Sequence, residues 1–494
     1  MTAQDLRVDG RPARVAVLVY NDAHADSRVL KTAASLHAAG AVVKIFAVAR
    51  SRSGYPVTTE RLETGVELER LPEFELARSA PWLAGAHRWV MARVNRLAER
   101  GEVRPAEEAD DALAAESDEA SATEVPTARG PSSTESTIAP ESAFAGAQPP
   151  LVEPTETAHL RARAFATVFD LWLKVYRTVS LAVYWAGAVG AVPRWRPDIV
   201  HANDGNTLAP AMVIARRTGA RMIYDAHELW RHRNVRKRPV APHVEHLIER
   251  LAIRRAAGVI TVSPSIARWL QRTYGLDRFP VLVRNIPAGR DRPNAAGTGR
   301  LRDLAGLPAD TKVIAYSGRL TTNRGIEETI EALTLMDRDV HLALLGYGEP
   351  DYVEPLAARA RTAGLGDRVH FVGRVPSAEV ADALADGDLA VVYVRPTCLS
   401  YYYSLPNKLF ESIHAGLPIA AADLPDTAGI VNEYAVGVVF DSDRPEDLAA
   451  AMTKVLANPE RYRAASRAAA TDLSWEHEVE HLLGLYRRIL QAGP

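Results

Sequence analysis

Short, nearly continuous apolar runs alternate along the chain with segments of helical period. Residues 14–20 (RVAVLVY) are the first run and residues 42–48 the second, and the helical segment between them, residues 29–39, stops at Gly40. A run that is apolar at almost every position predicts a strand buried on both faces, and hence a parallel sheet. Further runs lie at residues 198–202 (DIVHA), 221–225 (RMIYD), 258–262 (GVITV) and 281–284. Asn285-Ile286-Pro287 and the polar RDRPNAAGTGR then read as a linker, after which the alternation resumes. Strands are predicted at residues 312–317, 340–345, 369–372, 389–394, 419–422 and 437–440, with helices at 326–335, 407–415 and from Ser474 to about residue 489. Two such series predict an α/β protein of two doubly wound domains, residues 14–286 and 287–473, with residues 474–494 as a terminal helix.

One stretch breaks the alternation. Residues 101–157 are rich in Glu, Asp, Ser, Thr, Ala and Pro and nearly free of aromatics, so they bury too little apolar surface to offset their ordering entropy and are expected to be disordered. Helical segments flank them at residues 82–100 and 159–192. The second contains Phe165, Phe169, Trp172, Tyr176 and Trp185, which suit packing against the sheet and also an interfacial amphipathic face. Its least charged part, residues 178–193, is shorter than the ~18–20 residues that span a bilayer.

Composition narrows the class. At 494 residues the chain exceeds one core. A net charge of -2 with 47% hydrophobic residues carries no global nucleic-acid signature. The single cysteine, Cys398, excludes an internal disulfide framework and fits a reducing, cytoplasmic compartment. The polar start MTAQDLRVDGRPAR has no apolar core of a secretory signal.

Candidate chemistry gathers at the carboxyl ends of the strands, where open α/β sheets bind ligands. The first loop, with Asp22 and Arg28, lacks G-x-G-x-x-G, so no dinucleotide site is indicated. Asp204 follows the strand ending at His201, and His227 and Glu228 follow the next. The basic run Arg231, Arg233, Arg236, Lys237, Arg238 is either solvated surface or a site for an anionic acceptor or lipid headgroup. In the second half, Gly318, Arg319, Arg324 and Gly325 frame a strand-to-helix loop suited to clamping a diphosphate. Gly346 and Gly373 allow close backbone approach to a base or ribose. Pro406 precedes a helix whose open N–H groups, with Lys408 beside them, suit a phosphate, and Glu411 lies on the face of Asn407. The triplet Asp441-Ser442-Asp443 reads as helix capping rather than a metal site.

The loop S-G-R-L-x-x-x-R-G (317–325), L-L-G-Y-G (344–348), F-V-G-R-V (371–375), L-P-N-K-L-F-E-S-I-H-A-G-L-P (405–418) and the Ser-Trp-Glu helix start together resemble the retaining family 4 glycosyltransferases with the GT-B fold. The resemblance covers nearly the whole chain except the acidic insert. It implies two facing Rossmann-like domains, donor on the second and acceptor on the first, with the last helix crossing back to the first. It further implies that Arg319 and Arg324 neutralise the donor diphosphate, although the family more often has Lys at the latter position. Glu411 matches the second glutamate of E-x7-E and would hold the ribose; Tyr403 stands where the first should be. Gly318, Gly346, Gly348, Arg374, Val375, Ser404, Leu405, Asn407 and Lys408 fall on the donor side. His227 matches the family histidine near the transferred sugar, and Asp22, Arg28, Asp204 and Glu228 are candidates for acceptor contacts. The implied activity is transfer, with retention, from a nucleotide-diphosphate sugar co-substrate to a glycan, lipid-linked or small-molecule acceptor, in polysaccharide, glycolipid or glycoconjugate biosynthesis. No metal or other cofactor and no nucleic-acid partner is expected, and the basic and aromatic segments are compatible with peripheral association at the inner membrane face. A nucleotide-sugar 2-epimerase on the same fold, or a non-catalytic binding subunit, are the alternatives.

Overall fold

The computed structural model describes residues 6–24, 26–75, 156–233, 241–288, 299–441 and 444–492. Both sheets belong to one compact unit, and residues 156–180 fall in a second.

The first sheet is built from β1 (Arg14–Leu18), β2 (Val42–Val48), β3 (Thr59–Arg61), β4 (Glu67–Leu71), β5 (Ile199–Asn203), β6 (Arg221–Ala226), β7 (Gly258–Thr261) and β8 (Val281–Leu282). Their spatial order is β8-β7-β6-β5-β1-β2-β4-β3, all parallel except for the edge pair β3–β4. The second sheet runs β9 (Lys312–Ser317), β10 (Val340–Leu345), β11 (Val369–Gly373), β12 (Leu389–Val392), β13 (Ile419–Ala422) and β14 (Gly437–Phe440). Its order is β11-β10-β9-β12-β13-β14, parallel throughout. In both sheets the chain reverses direction beside the first strand, between β1 and β5 and between β9 and β12. Such switch points open a crevice at the strands' carboxyl ends.

Among the helices, α1 (Ser27–Ala38) follows β1, α2 (Glu156–Trp195) precedes β5, and α3 (Leu208–Thr218) follows it. α4 (Ala241–Ile253) and α5 (Pro264–Tyr274) complete the first half; α6 (Ile326–Leu333), α7 (Leu399–Tyr402), α8 (Asn407–His414) and α9 (Pro425–Glu433) serve the second. Local chemistry sets their ends. The Asp26 carboxylate accepts from Val29 N at the start of α1 (3.0 Å), and Ser263 caps α5, which has Pro264 in its first turn and left-handed Gly275 at its end.

The terminal helix α10 (Trp475–Gln491) packs on the first sheet: Trp475, Leu482, Leu483, Leu485, Tyr486 and Ile489 join the core that contains Val15, Val17 and Ile45. The contact is close enough to select glycine at the head of β7, because a Cβ on Gly258 would lie 2.8 Å from Leu485 Cδ1. Polar ties reinforce it. The buried carboxylate of Glu478 accepts from Arg284 N and Nε (2.7 and 2.8 Å), and the Trp475 indole donates to Ser35 Oγ (3.0 Å).

The carboxyl-terminal part of α2 packs on the first sheet through Tyr184, Ala188 and Val192, and the Tyr184 hydroxyl donates to Phe46 O (3.1 Å). Residues 156–180, in the second unit, leave Leu171, Val175 and Val179 exposed. The stretch Leu171–Trp195 is long and apolar enough to cross a membrane by length and composition, which corrects the shorter length inferred from residues 178–193; Lys174 and Arg177 interrupt the apolar sequence but not the helix. The helix segment expected at residues 82–100 lies outside the described residues, as does the insert expected to be disordered at 101–157, except that Glu156 and Thr157 begin α2.

Candidate functional site: the strand ends of the two sheets

On the second sheet, the loop after β9 and the start of α8 converge. Ser317 Oγ donates to Glu411 Oε2 (3.1 Å), tying the strand end to the first full turn of α8. Lys408, 8% exposed, lies with its ammonium 3.9 Å above the Tyr316 ring, and Nζ has no hydrogen-bond partner among the described residues. Burial holds its pKa well below the usual lysine value, the nearby Arg324 guanidinium adds to the depression, and Glu411 opposes it. Arg324 is itself depressed by burial and lies over the Tyr401 ring at 4.9 Å. Glu411 is raised by burial against the pull of Ser317, Lys408 and Lys31. The first turn of α8 has Pro406 at its cap, no capping side chain and no acidic residue. Two desolvated cations therefore stand at a helix start whose amides still attract negative charge.

The Arg319 side chain makes contacts of its own. Its guanidinium donates to Glu349 (3.3 Å) and approaches the Tyr347 ring (5.7 Å), whose environment it shares with Arg374 (5.5 Å). The paired grip expected of Arg319 and Arg324 becomes, in this structure, Arg324 with Lys408 on one side and Arg319 with Arg374 around Tyr347 on the other. The glycines also differ from expectation. A Cβ on Gly346 would fall 1.8 Å from Gly318 O, and one on Gly348 would fall 2.3 Å from Leu320 O, so these positions are glycine because the two loops touch. Gly373, by contrast, has open space there and a positive φ of 78°. Leu405 and Val375 direct their side chains into cores, so only their backbone groups could meet a ligand. Ser404 Oγ is buried without a partner. Asn407 is half-buried in the first turn of α8. Ser442 and Asp443 lie outside the described residues.

On the first sheet the strand ends carry a buried charge network. Asp225, at the end of β6, receives a two-pronged contact from Arg28 Nε and Nη2 (3.1 and 2.7 Å), and Arg28 Nη1 donates to Val283 O (2.6 Å). Arg28 is 1% exposed, which corrects its assignment to acceptor contact: it ties α1 to β6 and β8. His227 Nδ1 lies 3.2 Å from Asp204 and Nε2 lies 3.6 Å from Asp225. Burial alone would lower the His227 pKa, but the two carboxylates outweigh it and raise it to about 10, so the ring is an imidazolium. His201 faces Asp225 at 3.4 Å, and its Nδ1 pairs with the Tyr486 hydroxyl of α10 at 2.7 Å. Asp204 keeps a quarter of its side chain exposed, in a strained backbone conformation (φ 59°). Asp22 turns its carboxylate back on its own loop, accepting from His24 N (2.9 Å).

The two halves meet through α7. Ser400 Oγ accepts from Leu229 N (3.3 Å) and lies 3.5 Å from Glu228 Oε2, while Ser263 Oγ donates to Tyr403 O (2.9 Å). Tyr403, at the position of the missing glutamate, packs its ring against the core of the first half. Asp426 in the first turn of α9 accepts from Ser265 N and Oγ (3.0 and 2.9 Å).

Comparison with known proteins agrees with this architecture. Residues 300–472 match the family model "Glycosyl transferases group 1", and residues 142–287 match "Glycosyl transferase 4-like domain". The chain has the GT-B fold, with a glycosyltransferase family match on each half. It is similar to the D-inositol 3-phosphate glycosyltransferase of Segniliparus rotundus, 26% identical over 60% of this chain and 68% of that protein. It is also similar to the phosphatidyl-myo-inositol mannosyltransferase of Mycobacterium tuberculosis (strain H37Rv), 28% identical over 48% of this chain and 61% of that one. The GT-B fold is shared with sucrose-phosphate synthase from Thermosynechococcus elongatus (TM-score 0.64, 16% identity, 97% and 100% of the two chains). It is shared too with Anabaena HepE in complex with UDP (TM-score 0.58, 14% identity, 97% and 98%).

Sequence reasoning about this glycosyltransferase passed over Asp225, Lys31 and Ser400. Asp225 carried a signal, since it stands two residues before His227 in an extended segment and so shares its side. Lys31 looked like an ordinary helix-surface lysine. In the structure its Nζ donates to Ile286 O (2.8 Å), 4.8 Å above the Trp475 ring, and burial with Arg28 nearby lowers its pKa to about 8.

Proposed function

We propose that this GT-B glycosyltransferase is a retaining, metal-independent enzyme of family 4 type that transfers a sugar from a nucleoside diphosphate sugar to an acceptor hydroxyl in glycolipid or glycan synthesis. The observation that carries the reading is Lys408. A buried ammonium without a hydrogen-bond partner, beside Arg324 and an uncapped helix start, is unfavourable in the empty protein and favourable once an anion arrives. Glu411, held by Ser317, supplies an acceptor for ribose hydroxyls. Arg319 and Arg374 around Tyr347, with the open backbone at Gly373, would extend the site toward the ligand's base.

In the reaction the bond from the anomeric carbon to the diphosphate oxygen breaks and leaves charge on that phosphate. Arg324, Lys408 and the amides of α8 stabilise it, at ~3–4 kcal/mol for a key donor. The acceptor oxygen bonds to the anomeric carbon on the same face, and its proton passes to the leaving phosphate oxygen. His227, an imidazolium fixed by Asp204 and Asp225, places positive charge beside the sugar and is not assigned as a base. Uridine is the first base to test, because HepE of the same fold is described with UDP and UDP-glucose.

The test is thermal stabilisation by a panel of UDP-, GDP- and ADP-sugars, followed by labelled-sugar transfer and assignment of the product's anomeric configuration by NMR. Stabilisation by one donor and a product of unchanged configuration support the reading. Loss of neither binding nor turnover in Lys408→Met and Glu411→Ala would overturn the site, and interconversion of free nucleotide sugars without transfer would favour the epimerase.

A further inference from the structure

α4 exposes an unusual face. A solvated helix ordinarily turns its charged residues, both signs, to water. Here both carboxylates of the helix turn inward: Glu245 is 7% exposed and lies 3.5 Å from Arg233, and Glu249 is 1% exposed and accepts from the Tyr224 hydroxyl (2.8 Å) and from Tyr274. The outward face is left with Val244, Leu247 and Leu251, which are 49%, 56% and 40% exposed. Arg250 on the helix and Arg254 and Arg255 just beyond it, all exposed, border a shallow depression floored by Leu247 and Leu251. The spacing 244, 247, 251 puts the aliphatic side chains on one stripe, with 250, 254 and 255 along its edge and end. A further cation, Arg231, stands on the turn that packs against α4. Burial, then Arg231 and Arg250, lower the pKa of His246 between them.

We propose that α4 docks the protein on an anionic lipid surface. The three aliphatic side chains enter the headgroup boundary, and the arginines lay their alkyl stems along it with guanidiniums on lipid phosphates. Charge complementarity selects the occupant: the whole chain is slightly acidic, net charge -2, yet the exposed charges of α4 and the two residues after it, Arg250, Arg254 and Arg255, are all positive. A nucleic acid would match the cations but leave the central aliphatic stripe unburied. The turn packed on α4 begins two residues after Glu228, so the docked face is adjacent along the chain to the strand end that bears His227.

The experiment is co-sedimentation of the full chain with vesicles of phosphatidylcholine, with and without phosphatidylglycerol. Binding to the anionic vesicles only, weakened by salt, is expected. Arg250→Glu with Arg254→Glu should lower the partition coefficient more than about 25-fold, since each arginine near such a surface contributes about fivefold. Leu247→Ser with Leu251→Ser should weaken it while leaving circular dichroism and the melting curve unchanged, as expected for exposed positions. Equal binding to neutral vesicles, or undiminished binding by both variants, would overturn the proposal. So would a fall in molar mass by light scattering in the leucine variant, which would assign the face to self-association. None of these readouts depends on the donor, so failure here is distinguishable from failure of the proposed reaction.

Discussion

Replacing Lys408 by Met should make the empty protein more stable and the liganded protein less so. The ammonium is 8% exposed, lies 3.9 Å from the Tyr316 ring and has no hydrogen-bond partner among the described residues. Taking an ammonium out of water costs several kcal/mol even after relaxation. The ring returns about 2 kcal/mol when desolvated. Methionine has nearly the same length and no charge, so the volume is conserved and the desolvation penalty disappears. A gain of about 1–3 kcal/mol follows, or roughly 2–12 °C in Tm at the ~2–4 °C per kcal/mol of a domain of this size. The gain should shrink as pH rises. A lysine pKa lowered by folding means that the unfolded chain binds more protons, so wild-type stability climbs with pH until the ordinary lysine value near 10.5 is reached. The ligand effect has the opposite sign. Wild-type protein at a hundredfold excess of UDP over its Kd gains about 2.7 kcal/mol, and the variant should gain much less at the same concentration. Differential scanning fluorimetry of both proteins, with and without UDP, gives all four values. A variant less stable than wild type by several degrees, or an undiminished UDP shift, would refute the electrostatic reasoning.

Three more outcomes follow from the buried contacts. Arg28→Ala leaves the Asp225 carboxylate buried beside a cavity and should cost about 3–5 kcal/mol in urea unfolding, whereas an acceptor-binding role would change only KM. His227, raised to about 10 against the pull of burial, contributes stability that is complete below 6.5 and lost as pH rises through 10; the difference in urea midpoint between wild type and His227→Gln should therefore narrow over that window. Gly346→Ala puts a methyl 1.8 Å from Gly318 O and should abolish donor-induced stabilisation by displacing the touching loops, with unchanged activity as the contrary result.

How much could be read in advance depended on where a residue's partner lies. Strands such as β2, β9 and β13 were legible because a parallel strand covered on both faces is apolar throughout. The edge pair β3–β4 was missed, since Glu67 and Glu69 face Lys44 rather than a core and break the apolar run. α7 escaped as well: its cap is the Cys398 sulfur, accepting from Tyr401 N at 3.4 Å, a residue type that signals no helix start. In the site, the Gly318–Gly325 loop and the start of α8 form a local pattern and were readable. Arg28 was not, because its carboxylate partner is 197 residues away and only the folded sheet brings them together. The division of labour between Arg319 and Arg324 was equally invisible, being decided by Glu349 beyond β10 and Tyr401 in α7.

The short helix between the halves has one more implication. Ser400 and Tyr403 grip the first half, and four residues later the same chain enters α8, whose start has no capping side chain. So short a tether, spanning at most ~14 Å, has little slack. Any swing that parts the two halves must release Leu229 and Ser263 or pull on the start of α8. Separation of the halves and disturbance of the proposed donor site thus become a single mechanical event.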